Sequence, residues 1–360
     1  MCYLGPRGYL TFSIAVSIVL TIHQLNQNEY TAWDNYVFSH PEGSLFHLIK
    51  WKKAVEEAFG HKAFYFLAKE GGLIKGILPL FQIKSFLFGN IISSVPFAAY
   101  GGVLADSVEI FRELVSKSIG VTKELNADYL ELKFLEKKEL DFPGIDIYFT
   151  FIKELSADHD ENFKAILRKQ RRMVRVGIKS ELKAIFSKDY LDDFYELFAI
   201  NVHRLGTPVY SKKWFETLLD VLGNEAELLV IQHEGRIISG VISFYYKDTV
   251  LPYYAASQLE FRKFAPNDFQ YWELMRHAVE KGCRFFDFGR SKKGTGHFNY
   301  KRHWGFEPTP LHYQFYLNGL PELPELNPLN PKYKWKIEAW KRLPLAITKM
   351  IGPYLVKYIP

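Results

Sequence analysis

The stretch FDFGRSKKGTGHFNYKRHWGFEP, from Phe286 to Pro308, concentrates more reactive and charge-bearing side chains than any other part of the chain. An apolar run from Arg284 to Phe288 predicts a strand that ends at Gly289. Arg290, Lys292 and Lys293 follow, then Gly294-Thr295-Gly296. Glycines beside cations let backbone N–H groups approach an anion while the side chains neutralise it. Tyr300, Lys301, Arg302 and Trp304 come next and add flat aromatic surface. A loop of this composition, leaving the end of a buried strand, suits a phosphorylated or nucleotide-bearing substrate.

Two further basic segments stand out. Residues 164–183 carry eight Lys and Arg against Glu181 alone, a balance of +7. Arg168, Arg172, Arg175 and Lys179 there fall along one helical face. That face either grips the phosphates of an anionic partner or is simply solvated. From Lys332 to Lys357 seven cations face Glu338 alone, a balance of +6. The whole chain carries +6, so everything outside these two segments sums to −7. Basic patches on a mildly acidic body suit anionic partners.

The elements that must position these residues are legible from an internal repeat. FYFLAKEGGLIKGILPL from Phe64 and LLVIQHEGRIISGVISF from Leu228 align at an offset of 164, Glu70 on Glu234 and Gly71 on Gly235. Each reads as a hairpin with a Gly-containing turn. Upstream, Lys50-Trp51 matches Lys213-Trp214 and Gly60 matches Gly223 at an offset of 163. Downstream, DYLELKF from Asp128 and CRFFDFG from Cys283 read as buried strands after a helix. Each half thus has the order strand, helix, hairpin, strand, helix, strand. The expected class is α/β (α+β): a duplicated module with mixed sheets flanked by helices and a boundary near Thr150. Ile18–Gln24 is expected as the first strand after an N-terminal extension, and LKAIFS from Leu182 as its counterpart.

Length and composition agree. A chain of 360 residues exceeds what one core ordinarily supports, and 48% hydrophobic content supplies two. No apolar run reaches the roughly 18 residues of a membrane span. Cys2 and Cys283 form no zinc or redox motif, and their scarcity fits a reducing compartment. Metalloprotease, P-loop, hydrolase-elbow and EF-hand signatures are missing from the sequence. His297 and His303 lack ligand partners at suitable spacing, so no metal is expected.

EFRKFAPNDFQYWELMRHAVEKG from Glu260 opens a helix after an apolar strand, where a GNAT acyltransferase carries its (Q/R)xxGx(G/A) pyrophosphate loop. Ala265 and Asn267 stand in the glycine places, and Pro266 removes an N–H donor. The module resembles a GNAT fold with an impaired coenzyme A grip. Doubled in this way, it resembles the FemAB (FemABX) aminoacyl transferases, and most closely the FemAB-related proteins of PEP-CTERM/exosortase and exopolysaccharide systems. HPEGSLFHLIKWKKAVEEAFGH from His40, PFAAYGGVLAD from Pro96 and the Phe286–Pro308 stretch carry the likeness, over about Ile18 to Leu317. The long helical arm of FemA-type enzymes has no room here.

The resemblance implies transfer of an amino acid from aminoacyl-tRNA to an amine, or a hydroxyl, of an anionic cell-envelope or exopolysaccharide precursor. No tightly bound cofactor is implied. Tyr300-Lys301 matches the family's aromatic-lysine pair, which implies that Lys301 stabilises the charged reaction centre and Tyr300 positions it. Asp287 either orients the amine or accepts its proton, or merely pairs with Arg290 or Lys301. Arg290, Lys292, Lys293, Gly294, Gly296 and Arg302, with Arg168, Arg172 and Arg175, are the expected substrate-binding set. Acyl-CoA or an acyl carrier is the alternative donor, and a non-catalytic precursor-binding module the alternative class.

The organisation expected is an extension (1–17), a first GNAT-like domain (18–150), a second, acyltransferase domain (151–320), and a Pro-rich linker with a basic amphipathic tail (321–360). The tail's stripe of Ile337, Trp340, Ile347 and Ile351 either lies on the inner membrane surface or packs on the body. The expected location is cytoplasmic, at most peripheral to the inner membrane; the oligomeric state is left open.

Overall fold

A computed structural model describes residues 19–85, 89–323 and 331–359, of which 331–334 are described for the backbone only. Two mixed sheets carry the repeat. In the first, strands run in the order Thr21–Gln24, Lys62–Glu70, Leu73–Ser85, Gly89–Ser93, Tyr129–Phe134, His312–Leu317, Gly144–Ile145. In the second the order is Lys183–Phe186, Ala226–His233, Arg236–Tyr246, Thr249–Ser257, Phe285–Asp287, Ile152–Glu154. Ile18 and everything before it lie outside the described residues, but Thr21–Gln24 pairs with Phe66–Lys69 as Lys183–Phe186 pairs with Leu229–Gln232. Both expected first strands are therefore present.

The hairpins correct the repeat by one residue. Ala63 faces Phe81 and Ala226 faces Phe244, an offset of 163 that also fits Trp51/Trp214 and the helix-ending glycines Gly60 and Gly223. The two-residue turns are Gly71-Gly72 and Glu234-Gly235, all four at positive φ. Such turns match the right-handed twist of a hairpin. The shared Glu-Gly pair, Glu70-Gly71 and Glu234-Gly235, pulled the sequence alignment one place out of register, and a one-residue slip exchanges the two faces of a strand.

The equivalent helices Ile49–Phe59 and Lys212–Leu222 pack on one another, with the Trp51 and Trp214 rings edge to face at 5.8 Å. Both indoles are fully buried in a core that draws on both halves. Removing two such rings from water favours the joined state by several kcal/mol, at roughly 25 cal/mol per Å².

The strands that close the halves are exchanged. Ile152–Glu154, following the first repeat, pairs antiparallel with Phe285–Asp287 of the second sheet. His312–Leu317, following the second, pairs antiparallel with Tyr129–Phe134 of the first. Residues 312–317, assigned by the sequence to the second domain, thus build the first sheet. A small third sheet, Ser291–Lys292 with Tyr148–Thr150 and Thr309–Pro310, bridges the crossing.

Helices Pro331–Arg342 and Leu345–Val356 pack back on helix Leu191–Leu205. Pro331, expected in the linker, opens the first of them, where a missing N–H costs nothing. Pro324 and Pro328 lie outside the described residues. Among the described residues no helix is long and apolar enough to cross a membrane.

Candidate active site

Strand Phe285–Asp287 runs parallel to Thr249–Ser257 and delivers Asp287 to its end, fully buried. Three donors hold the carboxylate. Thr150 Oγ1 donates at 2.5 Å and the Gly289 amide at 2.8 Å to Oδ1, and the Tyr100 hydroxyl donates at 3.0 Å to Oδ2. Gly289 takes φ 68°, the left-handed turn that aims its N–H back at the carboxylate. Burial raises the Asp287 pKa, and the three donors and Lys301 oppose that rise.

Lys301 lies on helix Gly296–His303, capped by Thr295, whose hydroxyl accepts from the Phe298 amide. Its ammonium donates to the carbonyls of Gly289 at 2.7 Å and Arg290 at 3.3 Å, among the rings of Phe151 and Phe288. Enclosure of the charge lowers its pKa to about 7, with Asp287 opposing and Arg290 reinforcing the fall. An amine poised there holds or releases a proton at neutral pH and presents a cation to a developing oxyanion.

Asp287 is therefore not hydrogen-bonded to Arg290. The guanidinium instead stacks at 4.8 Å over Tyr148 and donates to the Tyr313 hydroxyl at 3.1 Å. Tyr313 in turn donates to the Ala99 carbonyl, and Tyr253 to that of Phe97 at 2.8 Å. Arg290 thus stands in a tyrosine-lined recess between the halves, with the buried Lys133–Glu131 ion pair (3.2 Å) behind it.

Tyr300 parts company with Lys301. Adjacent helix residues diverge by about 100°, and the Tyr300 hydroxyl donates instead to Asp268 Oδ1 at 3.2 Å. Gln170 Nε2 donates to the same oxygen at 3.1 Å. Burial raises the Asp268 pKa to about 6, against those hydrogen bonds. Gln170 sits on helix Arg168–Lys179, whose inner face (Gln170, Val174, Gly177) packs on helix Pro266–Glu280. Arg168, Arg172 and Arg175 occupy its exposed face, with Arg175 stacked at 5.2 Å over Phe163. The basic helix and the lysine helix thus meet at one carboxylate.

The remaining expected residues stay near solvent. Lys293, Gly294, Gly296 and Arg302 are exposed, and Lys292 is half-buried in the small bridging sheet. Gly294 turns at φ 83°. At the impaired coenzyme A loop, Ala265 adopts φ 54°, a conformation that strains any residue with a Cβ. Pro266 then opens the helix and Asp268 places a carboxylate in its first turn. A pyrophosphate there meets a missing donor and an acidic neighbour.

Tyr100, Thr150, Tyr313 and Asp268 were not singled out from sequence. Tyr100 lies in the quoted PFAAYGGVLAD motif, but its partner is 187 residues away.

Comparison with known proteins bears on the fold and the reaction class. Residues 161–302 match the family model for an acetyltransferase (GNAT) domain. The chain is 23% identical over 368 positions to the lipid II:glycine glycyltransferase of Staphylococcus haemolyticus, covering 76% of this chain and 87% of that protein. With the Staphylococcus aureus counterpart it shares 21% over 380 positions, covering 79% and 89%. The crystal structure of FemX matches with a TM-score of 0.67 at 19% identity, over 84% of this chain and 98% of that one. A tandem GNAT protein from the clavulanic acid pathway matches with a TM-score of 0.54 at 12% identity, over 84% and 100%. The fold is a mixed α/β tandem of GNAT type, and the chain is homologous to these glycyltransferases and is an acyltransferase.

Proposed function

We propose that the protein transfers an aminoacyl group from aminoacyl-tRNA to an amine of a lipid-linked cell-envelope precursor at the cytoplasmic face of the membrane. The observation that carries this reading is Lys301: an enclosed ammonium, its pKa lowered by burial to about 7, held on the Gly289 carbonyl beside the buried carboxylate of Asp287, where the closing strands of the two GNAT-like halves cross.

The acceptor nitrogen attacks the ester carbonyl, a C–N bond forms, and the oxyanion of the tetrahedral intermediate faces the Lys301 ammonium. Collapse breaks the C–O bond to the ribose. Lys301 gives its proton to that departing oxygen and regains one from the nitrogen that attacked, so charge and protons balance. Asp287, buried beneath its three donors, acts through the lysine by favouring its charged form. Tyr300 acts at one remove, holding the helix of Lys301 through Asp268. Arg290, Lys292 and Lys293 meet the anionic part of the acceptor, with Gly294 and Gly296 allowing close approach and Arg302 at the rim. Arg168, Arg172 and Arg175 meet phosphates of the donor. No bound cofactor is required.

The strained Ala265 and the Asp268 carboxylate disfavour coenzyme A as donor. The test is transfer of labelled glycine from glycyl-tRNA to lipid II or to an exopolysaccharide precursor, with Lys301→Met beside the wild type. Transfer by the wild type and a loss of at least about 100-fold in the variant support the reading. Saturable transfer from an acyl-CoA, with none from aminoacyl-tRNA, overturns it.

A further inference from the structure

Helix Leu345–Val356 is apolar on two opposite sides. Its inner side, Thr348, Gly352 and Val356, is buried against the body. A Cβ on Gly352 would lie 2.9 Å from the Val209 nitrogen, so the two backbones touch. Lys349 pairs with Glu196, and the Lys357 carbonyl shares a 2.6 Å hydrogen bond with His61 of the first half. A surface helix seated this firmly ordinarily turns a polar face outward. Here the outward positions are Ile347, Met350 and Tyr354, with relative exposures of 39%, 65% and 67%. Their spacing of three and four residues makes one stripe. Trp335, on the preceding helix, is 67% exposed.

Cations flank that stripe, and Glu196 of the neighbouring helix is taken up by Lys349. Lys357 lies over the Tyr354 ring at 5.9 Å, and Arg342 is exposed at the helix junction. The single acid of residues 332–357, Glu338, is engaged with Lys341. Apolar side chains enter the acyl boundary of a bilayer, aromatic rings settle at the headgroups, and Lys and Arg meet lipid phosphates. A second copy of the chain would set like-charged tails against each other. We propose that this outward face, with Trp335, docks on an anionic phospholipid bilayer. His61 stacks at 6.0 Å on Phe97, whose carbonyl accepts from Tyr253 in the Arg290 recess. The end of the docking helix thus reaches, through His61 and Phe97, the loop that carries Tyr100.

The experiment is cosedimentation of the full chain with phosphatidylcholine vesicles, with and without phosphatidylglycerol. Binding to the mixed vesicles only, weakening with salt, is expected. Ile347→Ser, Met350→Ser and Tyr354→Ser combined lower it at least about tenfold with an unchanged melting temperature, because all three side chains point away from the body. Lys357→Gln costs about fivefold. Brominated lipid quenches tryptophan emission, and Trp335→Phe removes that quenching. Absence of binding, equal binding to neutral vesicles, or full binding by the triple variant overturns the proposal. So does a solution dimer that the triple variant dissolves, which assigns the face to a second copy. None of these readouts uses acyl transfer, so failure of the proposed reaction is separately visible.

Discussion

The Tyr100 hydroxyl donates to Asp287 Oδ2 at 3.0 Å, tying a loop of the first half to the strand end that carries the second half's buried carboxylate. Thr150, also of the first half, donates to the other oxygen, where it meets the Gly289 amide of the second half. The first half therefore does more than frame a cleft: it sets the charge beside Lys301.

Tyr100→Phe deletes one of three donors to a buried carboxylate while keeping the ring. We expect a loss of about 1–3 kcal/mol in unfolding free energy. Turnover should fall about tenfold with little change in KM for the donor, measured by urea denaturation and by steady-state transfer. An unchanged kcat would remove Asp287 from the proposed mechanism.

The pKa of Lys301, lowered to about 7, predicts a pH profile. The ammonium exists below that value, so transfer that needs the cation is lost as pH rises through about 7. Lys301→Arg keeps its charge throughout the range and should abolish this alkaline limb, even if the rate itself is lower. A limb that persists in the arginine variant belongs to another group.

Asp268 has a pKa raised to about 6, so the folded state holds its proton where the unfolded chain has released it. Its contribution to stability is therefore favourable at low pH and declines as pH climbs from about 4 to about 6. At roughly 1.4 kcal/mol per unit, the decline approaches 3 kcal/mol. Asp268→Asn still accepts from Tyr300 and Gln170. Denaturation of the variant between pH 4 and pH 7 should lack that decline, and the difference from wild type isolates this residue from Asp287.

Gly177 lets the basic helix meet helix Pro266–Glu280, since a Cβ there would stand 2.6 Å from that of Phe269. Gly177→Ala should cost about 1–3 kcal/mol by overpacking. If the exposed arginines grip tRNA, replacing Arg168, Arg172 and Arg175 by Gln should instead leave stability unchanged. The slope of log affinity against log salt should then fall by about 0.7–0.9 for each phosphate no longer neutralised, measured by filter binding.

Much of this protein was legible in the chain because the relevant forces are local. Alternation of apolar residues around Gly-containing turns marked the hairpins, and a spacing of three and four put Arg168, Arg172 and Arg175 on one exposed face. Asp287 and Lys301 belong to one strand–loop–helix unit, so their neighbourhood was readable too. Tyr300-Lys301 was also readable as a pair, but not the divergence of the two side chains, Tyr300 onto the Asp268 carboxylate and Lys301 onto the Gly289 and Arg290 carbonyls. Side-chain direction depends on the helix register against its neighbours.

Tertiary structure alone decided the rest. The hairpins' offset of 163, the exchanged closing strands, and the Tyr100–Asp287 and Gln170–Asp268 hydrogen bonds all join residues far apart in sequence. No periodicity encodes such partners; they are fixed by which packing buries both cores at once. The proton affinity of Lys301 belongs here as well, because a lysine's charge is set by the water it has lost and by the carboxylate that folding brings beside it.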